Sequence, residues 1–185
     1  MKKVLTVVLM MVVLVMAMAA TTLTTVVNLN FNCDYNKAGI LNTSQDDMNL
    51  NCGLTLTSGT GANQANVLWK DTRTLADGAN ESLNLHDGSL KNGFGDSVAM
   101  TKLKILYIKN KSTDANCVVG AATNPVPLFG DAASDTLKIH PGGTAVIVAP
   151  DADGINVVTG VNLKILHDGS GTSTMTYDII AVGVE

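Results

Sequence analysis

The chain has 185 residues, of which 46% are hydrophobic, 4% aromatic and 15% charged, and 12 Lys and Arg against 16 Asp and Glu give a net charge of −4. Beyond Lys2-Lys3 there is no basic run, so the clustered cations that neutralise phosphates are missing and nucleic acid is excluded as a partner. Low charge with ample apolar content also excludes a disordered chain.

The chain opens with Met1-Lys2-Lys3, an apolar run from Val4 to Met16, and Ala17-Met18-Ala19-Ala20. A basic start, an apolar stretch and a small-residue site make a secretory signal, with cleavage expected after Ala19. The rival reading is a retained anchor. The apolar run can be extended through threonines to Val27, which approaches the roughly 20 residues of a membrane span. No cysteine stands at the cleavage point for lipid attachment. Residues 1–19 are therefore set apart as a signal-like or anchoring segment, and 20–185 as one domain with its own core.

Leu23 to Phe31 alternates weakly and predicts a first strand. Residues 34–52 are rich in Asn and Asp and predict a loop or an irregular edge, and alternation resumes over Leu54–Thr57. After the loop Ser58–Asn63, a segment from Ala65 to Leu75 carries Trp69, the only tryptophan. Asp77-Gly78 precedes a strand at Glu81–Leu85, and His86-Asp87-Gly88-Ser89 turns again. The clearest strand is Thr101–Asn110. Strict alternation puts Leu103, Ile105 and Tyr107 on one face and Lys102 and Lys104 on the other. A short strand is expected at Cys117–Gly120, no central strand at Pro125 and Pro127, and one helical turn near Ala132. Thr136–His140 and Thr144–Ala149, joined by Pro141-Gly142-Gly143, read as a hairpin. After the turn at Asp151–Gly154, Val161–Leu166 and Met175–Val182 close the domain. Short strands separated by regular turns predict an all-β fold, a single antiparallel sandwich of jelly-roll type behind the apolar N-terminal segment. Leu83–Ser89 echoes Leu163–Ser170, but one echo without a period is not a repeat architecture.

No motif carries catalytic chemistry. The two His-Asp-Gly-Ser turns offer His86, Asp87, His167 and Asp168 as ligands, but neighbours on a strand point to opposite faces, and Asp-Gly is a turn dipeptide. Asp151-Ala152-Asp153-Gly154 lacks the further ligands of a calcium loop, with Ala at 152 and Asn at 162. Ser58-Gly59-Thr60-Gly61 lacks the end of a phosphate loop. Catalytic, cofactor-binding and metal residues are accordingly expected to be none. In an exported chain Cys33 and Cys52 could pair and leave Cys117 over; three buried thiols are the other reading. N-x-S/T sites stand at Asn42, Asn80 and Asn110. In Trp69-Lys70-Asp71-Thr72-Arg73 the Trp reads either as core, with an Asp71–Arg73 pair on the opposite face, or as an interface anchor. Trp69, Arg73 and Phe94 are the interface candidates.

Several turns together resemble a known family. They are Gly59–Ala65 followed by Trp69-x-Asp71-x-Arg73-Thr74-Leu75-Ala76, Leu90-Lys91-Asn92-Gly93-Phe94-Gly95, Lys104–Asn110, Val118–Ala122, Pro141-Gly142-Gly143 with Ala149–Gly154, and Leu163–Ile180. In order and spacing this set resembles small virion-associated structural proteins, head-decorating or tail-associated, of tailed bacteriophages and prophages. The resemblance spans roughly residues 22 to 183. It implies a non-enzymatic β-sandwich subunit of the virion, partnered by the major capsid protein or tail proteins and by itself. Decoration subunits sit on local three-fold positions, so a trimer is the favoured homo-oligomer. It brings no catalytic residues and no cofactor. The signal-like segment departs from the family, whose members assemble in the cytoplasm. The alternative is an exported cell-surface or carbohydrate-binding module, touching a membrane only through residues 1–19 if these are uncleaved.

Overall fold

The computed structural model describes residues 22–38, 43–130, 134–169 and 173–185. The signal-like segment and the turn expected at Ala132 lie outside them. In chain order the strands are β1 (Thr25–Ala38), β2 (Thr43–Ser58), β3 (Gln64–Ala65), β4 (Val67–Leu75), β5 (Asn80–Asn84), β6 (Leu90–Lys91), β7 (Ser97–Val98), β8 (Lys102–Asn110), β9 (Cys117–Gly120), β10 (Thr136–Ile139), β11 (Thr144–Val148), β12 (Ile155–Asn156), β13 (Asn162–His167) and β14 (Met175–Val184). The fold is all-β, with no helix among the described residues.

Eight of these strands make two antiparallel sheets. One has the order β11-β8-β14-β4, with β12 extending the β11 edge; the other has the order β10-β9-β13-β5. The pairs β4·β14, β5·β13, β8·β11 and β9·β10 nest one inside the next along the chain. A long ribbon of nested pairs folded over on itself gives the jelly-roll strand order. Away from a bulge in β8, residues of the two sheets alternate in and out, and the inward ones from both sheets share one core. Leu106, Ile108, Tyr177 and Ile179 come from the first sheet, Leu83, Cys117, Val119 and Ile165 from the second. The two echoing segments start on antiparallel neighbours, with Leu83 of β5 opposite Leu163 of β13, and run apart from that pair.

Three local expectations are corrected. Alternation along β8 breaks at a bulge, where Val182 faces Ile105 but Gly183 faces Leu103, leaving Lys104 as an extra residue. Leu103 therefore joins Leu106 and Ile108 in the core, while Ile105 packs on the outer face of the sheet. A side chain at Gly183 would press on the Lys102 carbonyl, so the bulge needs glycine there. Lys104 is buried, and its ammonium donates to the Asp151 carbonyl. The Pro141-Gly142-Gly143 turn forms, with the Gly143 N–H donating to the His140 carbonyl at 2.8 Å. Yet β10 and β11 belong to different sheets, so the turn is a corner and not a hairpin. Finally, residues 34–38 and 43–52, expected as a loop or an irregular edge, are regular strand. β1 and β2 pair without a break from Thr25↔Leu56 to Ala38↔Thr43, forming a ribbon outside the two facing sheets.

Candidate functional site

In an antiparallel pair, residues directly opposite each other share a face. One face of the β1–β2 ribbon therefore carries Val27, Leu29, Phe31, Cys33 and Tyr35 with Leu54, Cys52, Leu50 and Met48. The other carries Asn28, Asn30, Asn32, Asp34 and Asn36 with Gly53, Asn51, Asn49, Asp47 and Gln45. The ribbon is amphipathic from Val27 to Tyr35. Asn and Asp here are the solvated face of a strand, which is why composition alone reads this stretch as a loop.

The two ends of the apolar face have different fates. At the base, Leu56 is fully buried and, with Val27 and Leu54, packs against Leu68, Ile105, Ile180 and Val182 on the outer face of the β11-β8-β14-β4 sheet. Beyond Leu29 that support ends. Phe31 is 52% exposed, Tyr35 67%, Met48 53% and Leu50 47%. Scattered apolar residues on a surface are ordinary, but a contiguous stripe marks an interaction surface. Next to the ribbon base, the same outer sheet face continues as an open groove of about 570 Å³ lined by Lys70, Thr72, Tyr107, Lys111, Asp178 and Ile180. Asp178 accepts from the Thr72 hydroxyl at 2.6 Å and pairs with Lys111 at 3.4 Å. The Thr72 hydrogen bond first, and Lys111 after it, hold the Asp178 carboxyl below the usual range.

Of the three interface candidates, Trp69 is overturned as a surface anchor. It is 2% exposed in the shared core, on the inward-pointing register of β4. Arg73 has the same parity as Trp69, so the Asp71–Arg73 pair is not on the opposite face as period 2 already required. Arg73 bonds Asp71 at 2.8 Å and Glu81 at 2.6 Å, and Glu81 also accepts the buried Tyr177 hydroxyl at 2.8 Å. This cluster closes the core between β4, β14 and β5. Phe94 is 87% exposed at the tip of the β6–β7 hairpin, where Asn92 Oδ1 accepts the Phe94 and Asp96 N–H groups. It stands apart from the ribbon in sequence and belongs to a different sheet.

The titratable turns are architectural. Asn84 Oδ1 accepts the His86 and Asp87 N–H groups, and His86 Nδ1 meets the Met100 carbonyl at 2.7 Å. His167 is fully buried. The Gly169 N–H donates to its Nδ1 at 3.1 Å, so Nε2 carries the proton and donates to the Ser173 carbonyl at 2.9 Å. Asp151 Oδ1 accepts the Asp153 and Gly154 N–H groups. These bonds, the Gly154 one foremost, lower the Asp151 carboxyl. The carbonyls of that turn already receive Lys102 and Lys104. Among the described residues, no three His, Cys, Asp or Glu side chains gather to hold a metal ion. Cys33 lies opposite Met48 and Cys52 opposite Leu29, four residues apart along β1. At about 3.3 Å per residue that is about 13 Å, beyond disulfide reach, and the three thiols are free. Cys117 is the one buried thiol. Asn110 is buried and cannot accept a glycan.

No family model, curated protein or solved structure matches this chain. The ribbon and its neighbouring groove therefore carry the functional reading on their own geometry.

Proposed function

We propose that the protein is a non-enzymatic structural subunit that works by self-association and by contacts with a larger assembly, the surface of a tailed-phage particle being the assembly its sequence resemblance implies. The observation that carries this reading is the ribbon, which extends an apolar stripe past the surface that supports its base. Two strands alone are marginally stable in water, so such an arm suits a chain whose working state has a second surface against it. The strands β4, β5 and β10 at sheet edges offer further backbone groups for strand addition. Many weak symmetric contacts would then sum to firm attachment.

The test is quantitative mass spectrometry of particles purified from producing cells. The expected result is this chain in a fixed ratio to the major shell protein. Recovery only from the culture fluid or the cell surface would overturn the reading in favour of an exported module.

A further inference from the structure

We propose that the β1–β2 ribbon is an exchanged arm: its uncovered apolar stripe docks on the open outer sheet face of a second copy of this chain, beside that copy's own ribbon base. The inference rests on the structural-subunit reading and names the surface and the partner.

Chemistry on the page points to this occupant. The base of the ribbon already shows what the stripe packs against: Leu54 and Leu56 sit on Leu68, Ile105, Ile180 and Val182. Farther along the same sheet face Tyr107 and Val146 are half-buried and Val148 is 37% exposed, so matching apolar surface remains open. Beside Ile180 the groove carries Lys70, and farther along it Lys111 with Asp178. The outer part of the apolar ribbon face carries Asp46 opposite Tyr35, with Lys37 beyond them. Both signs are present on each surface, so the charges can pair.

Area decides between two ways of using a second copy. From Leu29 to Tyr35 the apolar stripe is seven residues long, about 23 Å at about 3.3 Å per residue, and about 10 Å wide across two strands. That is a footprint of about 230 Å². Two arms packed face to face would bury about 460 Å² in total, well short of the roughly 1,000 Å² a specific interface needs. Reciprocal exchange makes two arm-on-sheet contacts and buries about 920 Å², close to that size. A cyclic arrangement, each arm reaching the next copy, uses the same two surfaces and closes without fibre growth.

The experiment uses the chain as isolated, its N-terminus read by mass spectrometry, with light scattering after size exclusion at micromolar concentration. An arm variant, Leu50→Asp, and a sheet-face variant, Val146→Asp, are each measured beside the unaltered chain. Expected are an oligomer for the unaltered chain and monomers for both variants, because losing either surface removes both contacts of the exchange. Thermal melting of each variant checks that the two-sheet core is intact, and Phe31→Asp and Val148→Asp serve as second variants if either first choice fails to fold. A sheet-face variant that stays oligomeric while the arm variant dissociates would show arm-on-arm pairing and overturn the proposal. An unaltered chain that is monomeric would also overturn it. If that monomer still attaches to particles, the structural-subunit reading stands and only the arm exchange falls.

Discussion

Alkaline stability gives a sharp test of the shared core. Cys117 is fully buried, and burial pushes its thiol from 9.0 up to about 12. Burial, and after it the Glu81 carboxylate, pushes the Tyr177 phenol upward from 10.0. Both groups are neutral when protonated, and both hold the proton longer in the folded chain than in the unfolded one. Their contribution is complete below pH 9, and it is lost as pH rises, first through the Cys117 window of 9 to about 12. Each such group removes about 1.4 kcal/mol of stability per pH unit inside its window. Between pH 9.5 and 10.5 Cys117 alone should therefore cost about 1 kcal/mol. Lys104 works in the opposite sense, since desolvation lowers its ammonium and folding then favours the neutral amine as pH rises. Urea unfolding under reducing conditions, followed by Trp69 fluorescence, measures the slope directly. Cys117→Ala should be less stable than the unaltered chain at pH 8 and lose less stability between pH 9.5 and 10.5. Equal slopes for the two proteins would refute the burial argument.

Asn110 accepts the Ser112 N–H at 3.0 Å and donates to the Ala115 and Ile139 carbonyls at 2.8 and 3.1 Å, all buried. Asn110→Ala should cost about 3 kcal/mol or more in urea unfolding, because each stranded buried group costs about 1–3 kcal/mol. Leu56→Ala should cost about 2–5 kcal/mol of packing at the ribbon base, and hydrogen exchange should accelerate around Val27 and Leu54 well before β8 and β14. Trp69 emission should stay at the short wavelength of a buried indole when the protein is diluted. A red shift on dilution would contradict its place in the core.

What could be read from the sequence was local. The strands at Cys117–Gly120 and Met175–Val182 and the turns at Gly78, Gly88, Gly142 and Gly154 stand where alternation and turn chemistry put them. Pairing partners could not be read, because a corner and a hairpin use the same Pro-Gly-Gly residues while the choice of sheet is made by strands far away. The bulge at Lys104 hid for a similar reason: the extra residue exists only relative to β14. The arm was legible in principle. Leu29, Phe31, Cys33 and Tyr35 alternate with Asn residues and Asp34 in strict period 2, but the Asn-rich composition outweighs that pattern when the segment is read alone. Trp69 and Arg73 share parity, and what separates them is chemistry: the apolar indole goes into the core, while the Arg73 guanidinium stays at its margin, bonded to Asp71 and Glu81.

The nested pairing has a consequence for how the chain is made. β14 lies between β4 and β8, and Leu75 meets Met175 across a hundred residues of sequence. Until β14 has been synthesised, β4 and β8 have a vacant slot between them, and each exposes a row of unpaired backbone groups. Contacts of such long sequence separation fold slowly. The nascent chain must therefore stay soluble through most of its synthesis without its central strand, and a ribosome stalled before Met175 would release a product with open sheet edges, prone to aggregate or to be degraded.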